Sequence, residues 1–428
     1  MTCRAPNSRW SALSPPRCWC PPAWAAALPP LLAVALLFAT SAPAAPAAPA
    51  ASRQRNLFTE LLGKTDAEIE AKLAATWQQL FYGNDEIQRV YYPVGADQAY
   101  IADIGNQDVR SEGMSYGMMI AVQLDKRAEF DRLWKWAKTH MFHPSGPRRG
   151  YFAWHCAFDG RQLSPGSASD GEEWFAQALF FASHRWGDGR GIFNYGAEAQ
   201  ALLREMLHKP ATPEVTSIFS RQEKQVVFVP NPEASTFTDP SYHLPAFYAL
   251  WGQWAADASD RQFWLEATRT SREFFHRAAH PRTGLMPEYA HFDGTPFLGF
   301  GVGRGDFRFD AWRTLSNVAL DHAWFAADPW QVQQSNRVLR FLAAQGPNGA
   351  NQYSLEGKPL SADTSSGLTA MAAVAGLAAD PDLARPFVQC LWDAPIPSGQ
   401  WRYYNGMLQL LSLLQVSGRF QIHPPKHP

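Results

Sequence analysis

From about Leu57 onward, apolar residues return at three- and four-residue steps in one window after another, the period of an α-helix with one face turned inward. The windows predict helices near 67–82, 113–125, 128–142, 170–186, 193–208, 240–257, 260–279, 310–327, 330–345, 364–378, 381–392 and 402–416. "EEWFAQALFFASHRW" (Glu172 to Trp186) and "GMLQLLSLLQV" (Gly406 to Val416) are apolar on nearly every side, as buried helices are. "DRQFWLEATRTSREFFHRA" (Asp260 to Ala278) carries its charge on one face, as an outer helix does. The helices beginning near 113, 170, 240, 310, 364 and 402 read as buried inner members and the others as outer members. Six helical hairpins, each burying its face against its neighbours, make an all-α fold, an (α/α)6 barrel. Antiparallel pairing has a consequence: the inner helices run in one direction, so their N-termini meet at one end. The long stretches before Glu112, Asp170 and Asp310 lie at that end, where loops on a rigid scaffold carry function.

The first 51 residues do not follow the helical pattern. Arg4, Arg9 and Arg17 precede the apolar run "LLAVALLFA" (Leu31 to Ala39), and "SAPAAPAAPAA" follows. A charged start, a short apolar run and a small-residue zone predict a secretory signal, cut between Ala42 and Ala51. The run is too short to span a bilayer. Residues 52–428 then read as one domain, periplasmic or secreted, monomeric, with no membrane contact once the signal is gone. Cys3, Cys18 and Cys20 leave with the signal; Cys156 and Cys390 remain, far apart, and read as separate thiols. Net charge is −1 and falls to −4 without the three arginines, which excludes a nucleic-acid footprint. The 17 tryptophans exceed what a core alone explains and suit sugar binding, because an indole face packs on a pyranose ring.

Three acids stand at the starts of inner helices: Glu112, Asp170 and Asp310. An aspartate there is first of all an N-cap, and for Asp170 and Asp310 the cap and a catalytic role both stay open. Asp239, before Pro240, reads as a cap, and Glu172 and Glu173 as first-turn acids that favour the helix dipole. Convergence favours chemistry: carboxylates across a cleft walled by aromatics can protonate a glycosidic oxygen and activate water. A helix N-terminus alone would depress the pKa of Glu112; a neighbouring charge such as Asp170 and apolar walls would raise it. No cation stands beside Glu112 within "SEGMSYGMM", which fits an acid, although Arg110 lies just outside the helix. His140 with His143, and His276 with His280, have helical spacing but no third ligand, so no metal and no cofactor is expected. Trp134 and Trp136 read as packing residues. "GFGVGRG" (Gly299 to Gly305) has no Walker lysine and reads as a flexible cleft loop, and no G-x-S-x-G is present.

"DVRSEGMSYGMM", "GSASDGEEWFAQALFFA", "FRFDAWRT" and "WRYYNGMLQLLSLLQVSGRF" together resemble glycoside hydrolase family eight, over nearly all of 55–420. "EFDRLWKWAKTHM", "GYFAWHC" and "GIFNY" are most similar to its reducing-end xylose-releasing exo-oligoxylanases. The resemblance implies an (α/α)6 barrel and an inverting enzyme for β-1,4-xylo-oligosaccharides, with Glu112 as general acid, Asp310 as general base and Asp170 holding the distorted sugar. It makes Arg313 the residue that orients the base, Tyr404 a neighbour of the attacking water and Trp154 a stacking platform. Tyr242 and His243 line the cleft by the same analogy, and Tyr116 joins them among the substrate-binding residues. Exo action needs a wall beyond the released sugar, expected in Asn351 to Gly367. An endo-acting β-1,4-xylanase or glucanase, and a catalytically silent carbohydrate-binding toroid, are the alternatives; an epimerase would want histidine pairs in the cleft.

Overall fold

Each apolar window becomes a helix in the computed structural model, which describes residues 55–346 and 349–426. The signal segment, 1–51, lies outside the described residues. A short helix that the periodicity did not reveal comes first, α1 (Leu57–Leu62). The outer helix α2 (Asp66–Tyr82) starts on a capping box in which Thr65 and Glu68 satisfy each other's backbone N–H groups. Then follow α3 (Ser111–Gln123), α4 (Arg127–Trp136), α5 (Ser169–Trp186), α6 (Tyr195–His208), α7 (Pro245–Trp254), α8 (Ala258–Ala278), α9 (Arg313–Phe325), α10 (Trp330–Ala344), α11 (Ser366–Ala375), α12 (Pro381–Asp393) and α13 (Arg402–Val416).

The inner ring runs α3, α5, α7, α9, α11, α13 and back to α3. Between α5 and α7 the join is made by Tyr248, whose hydroxyl donates to Glu173 at 2.5 Å, and by Trp174 set edge-on to Phe247. Outer helices α4, α6, α8, α10 and α12 each pack on the inner helix before them, while α2 packs on α13, so the first outer helix closes the ring against the last inner one. α3 and α5 are buried over most of their length, as the all-round apolarity of Glu172 to Trp186 predicts for α5. The window 240–257 is the one that shortens most. Leu244 precedes Pro245, and the residue before a proline is kept out of the helical region. The chain therefore makes a short 3₁₀ turn at Pro240–Tyr242 and begins α7 only at Pro245.

The stretch before Glu112, expected as loop, is mostly sheet. β1 (Tyr91–Val94), β2 (Gln98–Asp103), β3 (Asp108–Arg110), β4 (His155–Cys156) and β5 (Gln162–Ser164) form an antiparallel sheet in that order. Tyr92 and Tyr100 face each other across β1 and β2, and Phe158 stacks on Tyr100 from the far side. Such cross-strand aromatic pairs are what hold a short sheet. The strands are too short for a period-2 signal to stand out in "VYYPVGADQAYIADIGNQDVR". β3 runs directly into α3, so the sheet fixes the entry of the helix that carries Glu112. A second hairpin, β6 (Phe219–Ser220) and β7 (Gln225–Val226), lies against α6 and α8.

Cys156 is a buried free thiol and Cys390 an exposed one. Trp134 and Trp136 are buried, the first donating its indole N–H to the Ile192 carbonyl at 2.7 Å. No helix among the described residues is long and apolar enough to cross a membrane.

Candidate active site

Glu112, Asp170 and Asp310 meet on one guanidinium. Arg313, in the first turn of α9, points Nη1 at Glu112 Oε2 (2.8 Å) and Asp170 Oδ2 (3.1 Å), and Nη2 at Asp310 Oδ1 (3.2 Å). Nη1 also donates to the Tyr116 hydroxyl at 2.7 Å and Nη2 to Ser241 Oγ at 2.9 Å. Neither aspartate is a cap. The N-cap of α5 is Ala168, with no side-chain bond, and Asp310 sits inside the 3₁₀ turn Phe309–Trp312 that leads into α9. Asp170 accepts from the next N–H, Gly171, at 2.9 Å through Oδ1, which leaves Oδ2 for Arg313.

Exposure orders the three acids. The Asp170 side chain is 5% exposed, Glu112 16% and Asp310 28%. Asp310 is thus the carboxylate most open to water and Asp170 the one most enclosed. The guanidinium's terminal nitrogens are roughly 2.3 Å apart in a rigid plane, so the nearest oxygens of Glu112 and Asp310 are no more than about 8 Å from each other. An inverting pair needs ~6.5–9.5 Å to admit a water molecule.

The absence of a cation within "SEGMSYGMM" did not mean that Glu112 lacks one: Arg313 arrives from 201 residues away. The acid is nonetheless pushed up to about 7. Burial is the largest cause; Arg313 opposes it, and the negative charges of Asp170 and Asp310 reinforce it. Arg110, the cation next to the helix, is held elsewhere, paired with Asp103 and Asp108 and set 5.5 Å from the Trp154 ring. Asp170 is also raised, by burial first. If protonated Glu112 is the working form, kcat/KM falls as pH rises through about 7, the acid losing its proton there. A pH–rate profile flat from pH 6 to 9 would remove Glu112 from that role.

The remaining predicted residues divide. Trp154 is half-buried, stacked on His155 with ring centroids 3.6 Å apart, while its carbonyl accepts from the Ser111 N–H at the start of α3. It is a braced aromatic face near Arg110, at the entry to α3. The ring of Tyr242 lies 5.5 Å from the Arg313 guanidinium carbon, and Tyr404 donates to the Phe309 carbonyl, next to Asp310, at 3.1 Å. Tyr116, 1% exposed, lies beneath Arg313 rather than on the cleft surface.

His243 does not line the cleft. It has no exposed surface; its ring nitrogens are bonded to Thr238 Oγ1 (3.0 Å) and Ser271 Oγ (2.9 Å), and it stacks on Phe274. Burial takes its pKa down to about 3. It fixes the turn that carries Ser241 and Tyr242, with help from Asn317, which donates to the carbonyls of Ser241 and His243. A histidine beside two cleft residues reads as a third cleft residue until the backbone turn is seen.

Several groups escaped the sequence reading. Tyr403 donates to Glu112 Oε1 at 2.8 Å, and its ring lies so close to Gly113 that a Cβ there would meet it at 2.6 Å. Adjacent residues on a helix point about 100° apart, so "RYYNG" alone does not say which tyrosine reaches which acid. Asp239 does cap its turn, accepting from the Ser241 N–H at 2.7 Å, but it is fully buried with Oδ2 unpartnered and feels the charge of Asp310. Glu288 flanks Asp310 as well, paired with Arg304 at 2.7 Å and raised to about 7 by burial and by Asp310. Glu172 stands in the first turn of α5, as its position predicts, but neither it nor Glu173 faces solvent. Both are fully buried; Glu172 accepts from the Phe152 N–H, and burial lifts it to about 8.

His140 is bonded to Gln98, His143 to the Pro165 carbonyl, His276 to Asp328 and His280 to Thr283. Among the described residues no three His, Cys, Asp or Glu side chains are grouped to hold a metal. Gly301 to Gly305 of "GFGVGRG" line, with Pro296, Leu298, Asp306, Leu355 and Glu356, a cavity of about 760 Å³.

A family model described as glycosyl hydrolases family 8 matches residues 98–418. The chain is 48% identical to the reducing-end xylose-releasing exo-oligoxylanase Rex8A of Paenibacillus barcinonensis, over 86% of this chain and 96% of that protein. It is 44% identical to a reducing end xylose-releasing exo-oligoxylanase of Halalkalibacterium halodurans, over 87% and 95%. Among solved structures, a GH8 xylobiose complex from Teredinibacter turnerae superposes with a TM-score of 0.85 at 43% identity, covering 87% of this chain and 98% of that one.

Proposed function

The chain belongs to glycosyl hydrolase family 8, and from that premise we propose that it cleaves β-1,4-xylo-oligosaccharides with inversion, releasing xylose from the reducing end. The observation that carries this reading is the convergence of Glu112, Asp170 and Asp310 on Arg313, with the most open carboxylate separated from the proton donor by a guanidinium. The naming of relatives at 48% and 44% identity supports the substrate and the exo mode.

Glu112, pushed up to about 7 chiefly by burial, gives its proton to the glycosidic oxygen as the bond to the anomeric carbon breaks. Asp310 takes a proton from water, and the water oxygen bonds to that carbon from the opposite face. The products are xylose and a shortened chain with inverted anomeric configuration. Asp170, nearly enclosed, accepts hydrogen bonds from hydroxyls of the sugar at the reacting carbon. Arg313 keeps Asp310 aimed, and Tyr404 and Tyr242 wall the water. Trp154 stacks on a sugar ring.

Export by residues 1–51 places the enzyme in the periplasm or outside the cell, as a monomer; N-terminal sequencing of the mature protein and its elution volume check both. The reaction itself is tested by proton NMR of xylotriose during the first minutes. The first new anomeric signal of the shortened chain is expected to be α. A β signal appearing first would make the enzyme retaining and would remove Asp310 from the role of base.

A further inference from the structure

Trp401 is a large apolar side chain that stays in water: it is 62% exposed, yet it stands at the start of an inner helix. Its position is fixed from two sides. The next residue, Arg402, is 2% exposed and donates to the carbonyls of Arg89 (2.8 Å), Gly399 (2.8 Å) and Asp85 (3.0 Å), which pins the first turn of α13. The indole rests on Gly105, in the turn between β2 and β3, where a Cβ would come within 2.5 Å of Cζ3 and 2.6 Å of Cε3. Glycine there leaves the ring a flat seat.

The platform is continuous with the acid. Two residues on from Trp401, Tyr403 holds Glu112. On the sheet side, Asp103 closes the same turn by accepting from Asn106 and pairs with Arg110, whose guanidinium faces Trp154. Three residues of β3 separate the turn from α3, roughly 10 Å of extended chain. Trp401 is seated at the end of that strand away from α3, whose start carries Glu112.

We propose that Trp401 is a distal subsite that stacks on a xylosyl ring of the substrate chain. The proposal rests on the function given above. Since that function leaves one xylose beyond the cleaved bond, the unit reaching Trp401 belongs to the non-reducing side. A rigid exposed indole contributes binding at little entropic cost, its rotamer being fixed before the sugar arrives.

The test is kcat/KM on xylotriose and xylohexaose for wild type, Trp401→Ala, Trp401→Tyr and Gly105→Ala. The ratio of xylohexaose to xylotriose is expected to fall about tenfold in Trp401→Ala, the size of one aromatic contact. It should recover in large part in Trp401→Tyr and fall in Gly105→Ala, where the indole loses its seat. A ratio within twofold of wild type in both Trp401→Ala and Gly105→Ala overturns the subsite while leaving the activity standing. Wild type that leaves both oligosaccharides intact overturns the function, and the subsite with it.

Discussion

Glu112→Gln is expected to lower kcat on an unactivated xylo-oligosaccharide by about 10²–10⁴-fold, the range a positioned proton donor contributes. Glutamine keeps the size of the side chain and still accepts from Tyr403 or Arg313, so the cleft is preserved while the proton is lost. Asp310→Asn should fall as far, because amide oxygen is a poor base for water. The two variants separate on a substrate with an aryl leaving group. Such a group departs without a proton, so Glu112→Gln should regain most of its turnover there and Asp310→Asn should not. Near-normal turnover of either variant on the natural substrate, or rescue of Asp310→Asn by the aryl group, would show that the roles are misassigned.

Arg313→Ala should be costly to the fold as well as to the reaction. Arg313 is 4% exposed and is the cation that faces Glu112, Asp170 and Asp310 together. Removing one partner from a buried ionic cluster typically costs about 3–5 kcal/mol, because the charges left behind have no compensation. The pH dependence identifies the cause. Without the guanidinium, the folded-state pKa values of Glu112 and Asp170 rise further above their unfolded values. A group raised in this way contributes its stability below the unfolded pKa and loses it as pH rises through the folded one. The gap in unfolding free energy between wild type and variant should therefore widen from pH 5 to pH 8. The alkaline limb of kcat/KM should also move upward, since Arg313 is what holds Glu112 down. Urea unfolding at both pH values measures the first effect; an unchanged gap would mean that Arg313 acts through packing alone.

The fold was largely readable because its cause is local. Three- and four-residue apolar steps report which residues face inward, and the all-round apolarity of α5 and α13 marked them as inner helices before any contact was known. The β-sheet before α3 was not readable, since strands of two to six residues give too few alternations. The shortened α7 had a visible cause in Pro245, which a periodicity window averages away.

At the site, chain position alone placed Glu112, Asp170 and Asp310 at the cleft end of the inner ring, because antiparallel hairpins fix where each helix begins. What the chain could not state is which long-range neighbour each carboxyl meets. Tyr403, not its neighbour Tyr404, holds Glu112; Arg313 reaches it from 201 residues away; and His243 turns into the core. Charge state depends on burial and on distances of a few ångströms between segments remote in sequence. The order of residues settled the ring and the places of its acids, and packing alone decided which of them are buried and pushed up, because desolvation and the charges of remote neighbours act only once the chain has closed on itself.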